Sequence, residues 1–346
     1  MTNTISGNTY GRLGMWDEGA VRRSHIEFNG GDNRVVQRDG SQSISSHATH
    51  IAGTMVAEGD NTFARGMASR AQLEANDWYA DDSEMALAAA NGLLISNHSY
   101  GTLSGWVAIG SEWIWYGDKN VSLEEDYKFG FYDQRSALWD QISYNAPYYL
   151  IVKSAGNDRG EGPGASPVNA ESDGGADGYD CIATFGNAKN VLTVGAVFGL
   201  DQPYSDPQDV VMTSFSAWGP TDDGRIKPDL CANGVAVFSP TSFTNDSYQN
   251  LNGTSMATAS VSASLLLLQE HYQNLNGDES FMLSASLKAL AIHTADEAGL
   301  HEGPDYQFGW GLMNSARAAQ LISQDRAFNN SLIKEEELTQ GQVYTY

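Results

Sequence analysis

Gly253-Thr254-Ser255-Met256-Ala257 decides how this chain is read: a serine set between a glycine turn and a long apolar helix. The residues after it, with Val261, Ala263 and Leu265-Leu266-Leu267-Leu268, are apolar nearly all round, so this helix is expected to run through a core rather than over a surface. A serine hydroxyl is a weak nucleophile unless a base touches it and donors receive the charge it creates. Upstream, Ser46-His47-Ala48-Thr49-His50 opens a small-residue helix, and Leu13-Gly14-Met15-Trp16-Asp17 closes an apolar run on a carboxylate. Ser255 is therefore the candidate nucleophile, His47 the base and Asp17 the group that orients it, in the chain order Asp, His, Ser. Asn157 in Ser154-Ala155-Gly156-Asn157 offers an amide donor for an oxyanion.

Around these segments, short apolar runs alternate with helical patterns, as a mostly parallel sheet flanked by helices requires. Strands are expected at 12–16, 71–76, 93–97, 148–153, 191–197 and 235–238. Helices are expected at 47–57, 83–91, 133–144, 255–272 and 281–294. The segments 30–40, 161–179 and 239–250, rich in Gly, Pro, Asp, Asn and Ser, read as surface connections or cleft walls.

The chain has 346 residues, with 19 basic against 43 acidic side chains and a net charge of −24. That balance opposes nucleic acid and anionic membranes and favours a soluble protein. The longest apolar run falls well short of the roughly 20 residues a membrane span needs, and Met1 to Asn8 has no signal-peptide core. Cys181 and Cys231 are the only cysteines and have no zinc-site spacing.

The segments together resemble the subtilisin-like serine proteases, the subtilases. The likeness extends to Asn187-Ala188-Lys189-Asn190-Val191, to Phe215-Ser216-Ala217-Trp218-Gly219-Pro220, to Lys227-Pro228-Asp229 and to Gly309-Trp310-Gly311. It looks closest to the larger alkaline-type members that carry a C-terminal β-domain. The resemblance implies a three-layer α/β subtilisin-like fold with a mostly parallel central sheet. It also implies serine endopeptidase activity through an acyl-enzyme, with Asp17, His47 and Ser255 as triad and Asn157 in the oxyanion hole. By the same likeness Ser99-Tyr100-Gly101 would pair with an extended polypeptide substrate, and Ser154, Ala155 and Gly156 would wall the pocket for the side chain before the scissile bond. A secreted, monomeric protein with a removable inhibitory prosegment would fit. No cofactor is needed for the chemistry, and structural calcium is admitted, with Asp173, Asp177 and Asp180 as candidates beside the reading as a solvated acidic loop. Residues 1–325 would form the catalytic domain, and 326–346 a linker with the first strand of an absent β-domain.

The same residues admit other readings. A metal at His47 and His50 lacks the glutamate of a His-Glu-x-x-His site, since Ala48 stands there. Asp32 and Asp39 could replace Asp17 but lie in polar loops. An α/β-hydrolase needs Gly-x-Ser-x-Gly and the order Ser, Asp, His, neither of which is present. A peptide ligase or cyclase, or a non-catalytic binding protein, would fit the same scaffold. Ala48 and Ala259 depart from the glycine and proline usual in the family, and the stretch 101–129, with Trp106, Trp113, Trp115 and Tyr127, is longer and more aromatic, as a cleft wall or as packed mass.

Overall fold

The computed structural model describes residues 9–28, 34–41, 43–122, 125–163, 173–175, 177–277, 280–336 and 339–343. Seven strands form one parallel sheet. In chain order they are β1 (Leu13–Asp17), β2 (Val35–Gln37), β3 (Leu73–Asp77), β4 (Ile95–His98), β7 (Leu150–Ser154), β8 (Leu192–Val197) and β9 (Leu230–Asn233), and in space they run β2-β3-β1-β4-β7-β8-β9. β1, β4, β7 and β8 are buried on both faces, which is why they read as continuous apolar runs rather than alternating ones.

Helices cover both faces. On one side α1 (Ser46–Val56) and α4 (Thr254–Asn276) pack together, with α5 (Ser284–His293) and α6 (Ser315–Ala327) outside them. On the other, α2 (Asp81–Ala90) and α3 (Gln134–Asn145) enclose a second core of Trp16, Met85, Trp139, Tyr149 and Ile151. The leucines of α4 join the larger core with Ile51, Met55, Leu73 and Val194. Gly53 of α1 lets that helix close on Ser239 and Pro240, because a Cβ there would collide with both. Among the described residues no helix is long and apolar enough to cross a membrane.

All six expected strands and all five expected helices lie within a few residues of observed ones. The strand expected at 235–238 is corrected only in its place, since it is not part of the parallel sheet. The seventh strand of the sheet is β9, and the later run becomes β10 (Val237–Pro240) in an antiparallel pair with β11 (Tyr248–Leu251). The aromatic stretch forms a hairpin of β5 (Trp106–Ile109) and β6 (Glu112–Trp115), with Trp106 and Trp115 in ring contact at 5.2 Å. The boundary expected after residue 325 falls inside the last turn of α6. Beyond it the chain stays docked: Asp325 accepts the N–H groups of Leu332 and Ile333, and Glu335 accepts those of Leu283 and the Ser286 hydroxyl. Gln342 and Val343, expected in a strand, are not in one, and Tyr344 to Tyr346 lie outside the described residues.

Candidate active site

All four candidate groups sit where the parallel strands end, at the edge from which an α/β sheet usually presents its chemistry. Asp17 closes β1, 1% exposed. In the register of β1 and β4, Trp16 faces His98, so Asp17 and Ser99 are the next residues out on neighbouring strands.

His47 enters from the first turn of α1, whose N-cap is Ser45, its hydroxyl accepting the Ala48 N–H at 3.0 Å. Its Nδ1 lies 2.7 Å from Asp17 Oδ1, which also accepts the Glu18 N–H at 2.8 Å. That contact puts the proton on Nδ1 and leaves Nε2 as the basic nitrogen. Burial pulls the imidazole pKa down, but the charge and hydrogen bond of Asp17, with the charge of Glu18, outweigh it and raise it above 6.5.

Ser255 sits in the first turn of the 23-residue α4. Gly253 before it has φ +153°, a conformation unsuited to residues with a Cβ. The Ser255 hydroxyl donates to the Ser99 carbonyl at 3.3 Å, and no hydrogen bond joins it to His47 among the described residues. The structure therefore brings Asp17 to His47 directly, and Ser255 to the neighbouring strand end.

Asn157 stands just past β7 and is anchored by its oxygen. Oδ1 accepts the Thr254 N–H at 2.9 Å and the Thr254 hydroxyl at 3.0 Å, which leaves the Nδ2 donor free to face outward. The Gly156 N–H in turn donates to Thr254 Oγ1 at 3.3 Å. The Ser255 N–H is one of the first-turn groups that a helix leaves without an intrahelical partner.

Thr254 and the Ser99 side chain were not singled out from the sequence. The Ser99 hydroxyl donates to the Ser255 carbonyl at 3.1 Å and accepts from Asn97, which also holds Ser262 of α4. The threonine stood inside the quoted block, but its task depends on a partner 97 residues away. Tyr100 is tied down by donation to Asp81 Oδ2 at 2.7 Å, and Gly101 has no atom within 4 Å of where a Cβ would lie. Ser154 and Ala155 are buried, and Lys153 donates to Ser154 O and Oγ.

The remaining candidates settle elsewhere. His50 faces the carbonyls of Val237 and Gln249, and burial lowers its pKa to about 4. Asp39 accepts from Gln37, Ser41 and Asp77, away from His47, and Asp32 lies outside the described residues. Asp173 takes the Trp106 N–H, Asp177 is exposed, and Asp180 stands beside Asp222 at Gly130. Among the described residues no group of three or more His, Cys, Asp or Glu could hold a metal ion.

The family model of the subtilases matches residues 13–311, a span that runs from the start of β1 past the serine of α4. The chain belongs to the subtilase family, a family of subtilisin-like serine proteases. Subtilisin DY of Bacillus licheniformis is 24% identical over 320 residues, covering 89% of this chain and 90% of that one. C5a peptidase of Streptococcus pyogenes is 44% identical over 59 residues, and the match spans only 5% of its length. Among solved structures, the prenylagaramide maturation protease PagA aligns over 93% of this chain and 96% of its own with TM-score 0.62 and 19% identity. The Clostridium perfringens CspB protease aligns over 91% and 95% with TM-score 0.66 and 15% identity. These structural likenesses concern the fold, whose parallel sheet and flanking helices they share.

Proposed function

We propose that this subtilase is a serine endopeptidase that hydrolyses extended polypeptides through an acyl-enzyme. The observations that support the reading are two anchored groups: His47 fixed by Asp17 at 2.7 Å, and Asn157 fixed at 2.9 Å by Thr254, the residue before Ser255. In this reading His47 Nε2 takes the Ser255 proton as Oγ attacks the scissile carbonyl carbon. Asp17 holds the tautomer and stabilises the imidazolium. Asn157 Nδ2 and the Ser255 N–H receive the oxyanion, favoured by the positive end of α4. The imidazolium then gives its proton to the leaving amine, and water repeats the sequence on the acyl-enzyme.

The substrate would lie as an added strand along Ser99-Tyr100-Gly101, where backbone hydrogen bonds give little side-chain selectivity. Hydrolysis of casein by the parent and by Ser255→Ala tests the proposal. The parent is expected to degrade casein and the variant to lose about 10⁶ in kcat, the size of the same loss in subtilisin. Casein turned over equally by both would overturn it.

A further inference from the structure

Glu18 follows Asp17 directly and is exposed, yet it is tied into the site. Its Oε1 accepts the Ser45 hydroxyl at 2.6 Å, and Ser45 is the N-cap of the helix that carries His47. Its N–H donates to Asp17 Oδ1, the atom that holds His47. The contacts close a ring: Asp17 to His47, His47 along the helix to Ala48, Ala48 N–H to Ser45 Oγ, Ser45 to Glu18, and Glu18 back to Asp17. The next residue, Gly19, is fitted closely too, since a Cβ there would lie 2.6 Å from the Ser43 carbonyl oxygen. A helix cap needs only its own side chain and a backbone N–H. A carboxylate locked onto the cap from the neighbouring strand end goes beyond that need.

We propose that Glu18 is a positioning residue for the Asp17–His47 pair, clamping the cap of the histidine helix and holding a second negative charge beside the imidazole. The proposal rests on the reading of His47 as the base. When His47 takes the serine proton the ring becomes cationic, and a fixed anion nearby favours that state. The charge of Glu18 already contributes to the raised pKa of His47, together with Asp17. Other charged groups are placed to contribute little. Arg22, after β1, is bound to Asn245 and the Ser242 carbonyl, and His50, one turn along α1, is neutral near pH 7. β10 and β11 face α1 with carbonyls, at His50.

Two substitutions separate the clamp from the charge. Glu18→Gln keeps an acceptor for Ser45 and removes the charge, while Ser45→Ala removes the clamp and leaves the charge. The His47 imidazole is followed by NMR titration of the full chain, its signal assigned by loss in His47→Gln, and kcat and KM are measured in parallel across pH.

Glu18→Gln is expected to move the His47 titration and the acid limb of kcat/KM together to lower pH. That shift should shrink in molar salt, because the charge is exposed to solvent. Ser45→Ala is expected to lower the plateau kcat several-fold with the His47 midpoint still near that of the parent. An unchanged His47 midpoint in Glu18→Gln at low salt overturns the electrostatic part, and an unchanged plateau kcat in Ser45→Ala overturns the clamp. The NMR titration needs no turnover, so a parent without peptidase activity would refute the proposed function while leaving the Glu18–His47 coupling to be judged on its own.

Discussion

Asp17, at the end of β1, and Asp173, beyond the loop after β7, are both almost wholly buried, 1% and 3% exposed, yet their surroundings differ. Asp17 has the His47 ring at 2.7 Å and the Glu18 N–H at 2.8 Å. Asp173 accepts the Trp106 N–H at 2.8 Å, and around it stand Asp158, Glu161 and Asp126. Burial and these acidic neighbours push the Asp173 pKa up to about 8, and burial with Asp158 pushes Glu161 up to about 7. Of the nearby cations, Lys153 is itself buried, its pKa lowered to about 7, and Arg159 lies over the Trp218 ring and donates to the carbonyls of Thr213 and Ser216. A buried carboxylate whose neighbours are other acids takes up a proton, whereas Asp17 has an imidazole beside it.

The largest test of this contrast removes the sharing partner. His47→Ala is expected to lower kcat by about 10⁶, as for the corresponding group in subtilisin, read by single-substrate kinetics with the fold checked by thermal unfolding. A loss of tenfold or less would show that Asp17 and His47 are not the working pair. Next in size, Asn157→Ala removes a donor that Thr254 holds in place, and kcat should fall about 10²- to 10³-fold with KM little changed. Thr254→Val then keeps the N–H to Asn157 and deletes the hydroxyl, with its bond to Asn157 and the one it accepts from the Gly156 N–H, and a fall in kcat of about 3- to 10-fold is expected. If Thr254→Val cost as much as Asn157→Ala, the amide would be held by the hydroxyl alone.

The smallest effect lies at the other carboxylate. An unfolded aspartate titrates near 3.9, and Asp173 in the folded chain near 8, so the folded state holds the proton between these values. Its contribution to stability is full below about pH 4 and is lost as pH rises through about 8. Asp173→Asn keeps an acceptor for the Trp106 N–H and has no such proton to lose. The unfolding midpoint of the parent should fall from pH 5 to 8 more steeply than that of the variant, and parallel curves would remove Asp173 as a buried acid.

The same contrast explains what could be read in advance. Asp17, His47, Ser255 and Asn157 stand out because each ends a strand or opens a helix in a short block whose residue types suit one task. The central strands were legible because burial on both faces leaves them apolar throughout. β2 was not, being three residues long, and β9 was displaced because Leu230-Cys231-Ala232 is no more apolar than Val235 to Phe238. The β5–β6 hairpin turns at Gly110-Ser111, a two-residue connection between strands that carry Trp106, Trp113 and Trp115. Thr254, Glu18 and the side chain of Ser99, the last a candidate only for pairing with substrate, act through partners on other elements, and no local pattern announces such a contact.

Covalent labelling with a sulfonyl fluoride at alkaline pH, followed by peptide mapping of the parent and of His47→Ala, tests the central claim most directly. The account predicts a single modified residue, Ser255, in the parent, with casein cleavage lost in step, and almost no modification in His47→Ala. Modification of another residue, or equal labelling of Ser255 in both proteins, would contradict it.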